Sequence, residues 1–341
     1  MGTPPAGSML DELHALLTTT ITRASQVTGA RSAWETPWAH SMAGQELAAE
    51  EARRPDPQSG SWPWLLAPMI ASWALQVAVE EARGFSTALD PEATSYAADV
   101  LCRGVLETSS LAWWLLDPGI GAQVRLARSL VYRLHSASET ERAIKALELG
   151  LEDIPAEYGE LPEDVRQDID SAGLTCEWRE RGGRRGLFCG DEPWLGYTER
   201  AASLVANIWP QRKLPYAVLS AAAHGELLGL QRNLVSSPPG TPGLRAAPGP
   251  ATALWLWQDT YLVIGALVFT AARAAAFLGL SDQLAALNAW MAGLNRRLPA
   301  LRPGFSLKSR RPPGGLNALV PRGAGISGQR GPGGPFQADS T

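Results

Sequence analysis

Apolar positions recur at three- and four-residue spacings along most of the chain, the pattern of helices that bury one face. The spacing predicts an amphipathic helix over residues 9–28, then an irregular stretch rich in Trp, Pro and Ser through Trp64. Pro68 suits the first turn of a helix running to about Leu89, with Ile70, Trp73 and Val77 on one face. Residues 92–116 are apolar nearly all round, which marks a central helix, and Asp117-Pro118-Gly119 ends it. Residues 120–148 have two distinct sides, Leu126, Leu130, Leu134 and Ile144 against Arg125, Arg128, Tyr132, Glu139 and Arg142, and so predict a helix at the edge of a bundle. A short acidic helix near 162–172, a hairpin over 174–189, helices at 198–208 and 213–232, and a Pro/Gly loop at 236–250 follow. Helices at 251–279 and 282–297 close the body. The fold class is therefore all-α: a single helical bundle of about seven to nine helices over residues 8–298, with one small β-hairpin and a disordered C-terminal tail.

Composition refines this picture at the ends of the chain. Residues 302–341 contain nine Gly and six Pro, with six Lys or Arg against the single acid Asp339, and are expected to be a disordered basic tail. The whole chain of 341 residues carries a formal charge of −4, so the remaining body is at −9, which argues against nucleic acid as a partner. Arginine supplies 27 of the 30 basic residues and alanine recurs in runs such as Ala274–Ala276, the bias of a GC-rich, bacterial genome. The opening MGTPPAGSMLDEL has neither a basic n-region nor an apolar h-region, so the expected location is cytoplasmic. The most lipid-like run, Tyr261–Ala272, is bracketed by Asp259 and Arg273 too closely for a span of about 20 residues, so no membrane span is expected there.

Most familiar chemistry is missing from the motifs. The sequence has no G-x-G-x-x-G after a strand, no Walker loop, H-E-x-x-H, G-x-S-x-G or C-x-x-C, and no paired E-x-x-H for a di-iron bundle. Histidine occurs only at 14, 40, 135 and 224, and neither a metal nor a cofactor is implied. Of three cysteines, Cys102 belongs to the central helix and is expected to be buried. A two-residue turn at Gly182-Gly183 would place Cys176 opposite Cys189 and Trp178 opposite Leu187 on one face, either as two packed thiols or as a redox-responsive cross-strand bond.

One constellation carries potential chemistry. Tyr96, Val100, Arg103, Glu107, Leu111 and Trp114 form one helical stripe, and Tyr216, Ser220, His224, Leu227 and Gln231 form another, flanked by small Ala221–Ala223 and Gly225. Buried opposite charges must be paired and hydrogen-bonded, so Arg103, Glu107, Ser220 and His224, with Tyr216 as a further partner, are expected to meet inside the bundle. The cluster is either a satisfied polar network that fixes helix register or a site in which Glu107 orients His224 as a general acid or base and Arg103 holds an anion.

Arg103-Gly-Val-Leu-Glu107 with its apolar run to Trp114, and Tyr216-Ala-Val-Leu-Ser220-Ala-Ala-Ala-His224-Gly225, resemble a group of helical proteins of GC-rich bacteria that has no assigned activity, over about residues 60–295. The Y-x-x-x-S-x-x-x-H turn is also distantly similar to HEPN-type helical domains, some of which are metal-independent ribonucleases using R-x(4–6)-H. Arg128 and His135 fit that spacing, with Ser129 after the arginine, and the resemblance implies that His135 assists proton transfer while Arg128 stabilises phosphate charge. Three functions follow: a binding or regulatory scaffold with a buried polar cluster, for which a helix-mediated homodimer is one arrangement; a HEPN-like ribonuclease; or a small-ligand binder or enzyme using Arg103, Glu107 and His224. The first is preferred, because Arg128 and His135 lie on the polar face of an ordinary amphipathic helix.

Overall fold

The computed structural model describes residues 6–52, 63–89, 95–146, 156–181, 184–210, 219–220 and 250–301. These form ten helices, α1 (Ala6–Thr28), α2 (Arg31–Glu35), α3 (Met42–Glu51), α4 (Pro63–Ala88), α5 (Ser95–Leu115), α6 (Ala122–Ala146), α7 (Ala156–Ser171), α8 (Tyr197–Ile208), α9 (Pro250–Leu278) and α10 (Ser281–Ala300). Between α7 and α8 lie three short strands, β1 (Cys176–Arg181), β2 (Arg184–Cys189) and β3 (Glu192–Pro193). The all-α bundle with a small sheet is as expected, and the described residues hold the eight helices predicted within them and two more; the predicted helix at 213–232, apart from Leu219 and Ser220, the loop at 236–250 and the tail at 302–341 lie outside the described residues.

The extra helices come from the stretch expected to be irregular. The Ser41 hydroxyl accepts from the Gly44 N–H at 3.0 Å and so starts α3, while the Trp34 indole of α2 donates to the Val27 carbonyl at 3.1 Å and covers the end of α1. Helix α4 begins earlier than predicted, with Pro63 in the first position, where a missing N–H costs nothing, and Pro68 inside. Of its three residues assigned to one face only Ile70 is buried; Trp73 and Val77 are exposed. The sheet keeps the predicted register, Cys176 opposite Cys189 and Trp178 opposite Leu187. The two cysteines are joined by a disulfide with Cα atoms 4.0 Å apart, and β3 adds antiparallel to β2. Cys102 is buried in α5, as expected.

The centre of the molecule is α9, which packs against α1, α3, α4, α5, α8 and α10. Leu262, Val263, Ile264, Ala266, Leu267 and Val268 are all fully buried, each of the larger ones contributing about 1.5–3 kcal/mol. Among the described residues α9 is the one helix long and apolar enough to cross a membrane, yet 89% of that window lies inside the protein, so its apolar length is accounted for by core packing.

Helix α6 corrects a reading made from periodicity. Its arginine side was expected to face solvent, but Arg125 is buried. The cause is the C-terminus of α5, whose last carbonyls have no partner within the helix and concentrate its negative dipole. Arg273 of α9 donates to the Trp113 carbonyl at 2.7 Å, Arg128 to the Trp114 carbonyl at 2.8 Å, and Arg125 to the Leu115 carbonyl. Three arginines from two helices thus close three successive carbonyls. Burial pushes the Arg125 guanidinium below its ordinary range, with the nearby Glu46 carboxylate opposing the shift.

Candidate functional site

The site is built where the stripe on α5 meets α6 and the β3–α8 segment. Arg103 and Glu107, one turn apart on α5, form an ion pair at 2.6 Å, with about a fifth of each side chain exposed. Beside them Thr108 donates to Glu81 of α4 at 2.8 Å. Gly104 makes room for that carboxylate, since a Cβ there would lie 2.5 Å from Glu81 Oε1. Burial raises the Glu81 carboxyl, the Thr108 bond opposes this, and the Glu107 charge adds to it. Arg103 and Glu107 therefore lie together in a half-buried polar cluster. Ser220 is half-buried next to the fully buried Leu219, whereas Tyr216 and His224 lie outside the described residues.

Seven residues beyond Glu107, two turns along the same stripe, Trp114 meets an aromatic group. Trp194 lies 6.4 Å from Trp114, 5.9 Å from Tyr132 and 6.1 Å from Tyr197, and His135 stacks on it at 4.3 Å with an interplanar angle of 24°. Beneath them Arg200 is 1% exposed, its guanidinium carbon 4.5 Å from the Trp194 ring centre, 5.0 Å from Tyr197 and 5.7 Å from Trp114. Tyr197 is exposed, and Tyr132, His135 and Trp194 are half-buried. The arrangement is an open aromatic basin over a buried positive charge.

Local structure explains the placement. Glu199 accepts from the Gly196 N–H at 3.1 Å and so fixes the start of α8, which presents Tyr197 outward. Ala201, Leu204, Val205 and Ile208 hold the opposite face of α8 in the core. Arg200 Nη1 donates to the Leu195 carbonyl at 2.6 Å and ties α8 to the segment carrying Trp194.

Electrostatics link the basin to the polar cluster. Burial raises the Tyr197 phenol, Tyr132, Glu107 and Glu139 add to this, and Arg200 opposes it. Burial lowers His135, opposed by Glu139 and reinforced by Arg200 and Arg142, so its imidazole is held neutral.

Of the ribonuclease pair, His135 thus belongs to the basin, while Arg128 is committed elsewhere. Its Nε donates to Glu192 at 2.9 Å and its guanidinium lies 5.2 Å from the Trp114 ring centre, besides its bond to the Trp114 carbonyl. Sequence reasoning had no signal for Trp194, Tyr197 or Arg200, since a tryptophan in a loop and an arginine in a short helix show no periodicity.

Among the described residues no group of three or more His, Cys, Asp or Glu could hold a metal ion. No family model, curated protein or solved structure matches the chain.

Proposed function

We propose that the chain is a cytoplasmic helical binding or regulatory protein, and that its ligand-facing surface is the basin of Tyr132, His135, Trp194 and Tyr197 over Arg200. The observation that carries this reading is the combination of partly exposed aromatic faces with a fully buried guanidinium. Aromatic side chains offer large contact area at little entropic cost, and a desolvated positive charge favours an anion. The matching ligand is a planar group bearing negative charge. Glu107 and Arg103 at the near end neutralise each other and fit a positioning role better than a catalytic one.

The HEPN-like ribonuclease reading keeps one supporting feature, the neutral imidazole of His135 two turns along α6 from Arg128. It has less support than binding, because Arg128 would have to leave Glu192 and the Trp114 carbonyl to meet a phosphate. Use of Arg103, Glu107 and His224 for ligand binding or catalysis is a third proposal, supported by the half-buried Arg103–Glu107 pair alone.

The test is a titration of intrinsic tryptophan fluorescence with salicylate, a planar aromatic carboxylate. Saturable quenching is expected, with affinity reduced about tenfold or more in Tyr197→Ala, since loss of one stacked ring costs about 0.5–1.5 kcal/mol beyond its buried area. Absence of saturation in the wild type overturns the reading. RNA cleavage that is lost specifically in His135→Ala would put the ribonuclease in its place.

A further inference from the structure

The Cys176–Cys189 disulfide has two unequal ends. Cys189 lies on β2, the middle strand of the sheet, and is fully buried, whereas Cys176 lies on the edge strand β1 and is half-buried. Trp178, the next residue on the Cys176 face of that edge, is exposed. Thiol–disulfide exchange begins when a thiolate reaches one of the two sulfurs, so access decides which end opens the bond. The accessible end is Cys176.

The pairing of β1 with β2 does not depend on the bond. The two strands pair over six residues each, and just beyond the cysteines the Gly190 N–H donates to the Thr175 carbonyl at 2.9 Å. Reduced thiols are therefore held opposite one another, which favours closing the same bond again. The third strand is placed differently. It has two residues, and one of them, Glu192, pairs with Cys189 itself. From there the chain runs to Trp194, whose N–H donates to the Leu187 carbonyl at 2.7 Å. Glu192 meets Arg128 of α6 at 2.9 Å, and Trp194 stacks on His135. The strand anchored at the buried cysteine is thus the one that carries Trp194 to α6.

We propose that Cys176–Cys189 is a reversible redox site, opened by a small monothiol of the glutathione class through attack on Cys176 Sγ, and that its opening releases β3 together with Trp194. The thiolate of the monothiol forms a new S–S bond to Cys176 Sγ. The Cys176–Cys189 bond breaks, and its electron pair leaves on Cys189 Sγ, which takes a proton from water. A second monothiol thiolate attacks the sulfur of the first, and Cys176 leaves as a thiolate and is protonated in turn. Two monothiols are oxidised to one disulfide while the protein disulfide is reduced to two thiols, and excess oxidised monothiol drives the sequence backwards.

Mass spectrometry of the folded full chain tests the chemistry. Reduced glutathione is expected to open the bond without urea, and samples quenched with acid during the reaction should carry the mixed disulfide on the Cys176 peptide. With oxidised glutathione, Cys189→Ser should accumulate an adduct at Cys176, whereas Cys176→Ser should take up none until it is unfolded in urea. The buried Cys102 serves as the internal control in both. Amide exchange at residues 192–194 should be faster in the glutathione-reduced chain than in the disulfide form. A bond that glutathione opens only in urea, a mixed disulfide on the Cys189 peptide, or equal exchange at 192–194 in the two forms overturns the proposal. Control of ligand binding by this site rests on the basin reading: if salicylate binds neither form, that reading falls, while the adduct and exchange measurements still decide the redox site.

Discussion

His135 lies against Trp194 in an environment that resists its protonation, and that resistance fixes the sign of a pH effect. As pH falls through the ordinary histidine value of about 6.5, the unfolded chain takes up a proton before the folded one does. Stability should therefore fall across that window and level off below the lowered folded value. His135→Phe keeps a ring on Trp194 but cannot titrate. Urea unfolding between about pH 5 and pH 8 should show a wild-type loss on acidification that exceeds the loss in His135→Phe, since the other histidines are common to both. Equal slopes would mean that His135 is solvated in the folded state.

At the scale of elements, close helix approach is set by small residues, and Gly265 of α9 is the sharpest case. A Cβ at that position would come 2.4 Å from Ile208 Cγ2 of α8. Gly265→Ala gains about 1 kcal/mol of helix propensity but overpacks a contact at a cost of about 1–3 kcal/mol, so a net loss of about 1 kcal/mol is expected. In an Ile208→Ala background the nearest contact relaxes to the Ile208 Cβ at 3.3 Å and the same substitution should cost clearly less, a double-mutant cycle read by denaturant unfolding.

The same scale shows what the sequence discloses. The pairing of Cys176 with Cys189 was legible because strand period and a two-residue turn leave one register. The Arg103–Glu107 pair was legible from its spacing on an apolar helix. The burial of Arg125 was not, because periodicity identifies a polar face without showing that another helix brings unsatisfied carbonyls to it. The Asp117-Pro118-Gly119 break before α6 held the available hint, since it places the end of α5 close to the first turns of α6. Trp194 and Arg200 become neighbours of His135 only through the tertiary fold.

For the molecule as a whole, the sheet and the helical core are held by different means. The core depends on α9 and the apolar faces around it, whereas the sheet rests on α6 and carries Glu192 and Trp194 to the basin. Its disulfide closes a loop with a sequence separation of 13, for which the chain-entropy effect is about 3 kcal/mol. Reduction should therefore loosen the sheet without opening the core, because local opening follows cooperative units rather than the whole chain. Hydrogen exchange with and without a reductant checks this: amides of 184–194 should exchange faster when reduced, and those of 262–268 should not change. Salicylate affinity should fall under the same conditions, since β3 leads directly into the segment bearing Trp194. Faster exchange in α9 as well would show that the disulfide supports the entire fold. A reducing environment would favour the thiol form, so salicylate affinity is expected to rise when the Cys176–Cys189 bond forms.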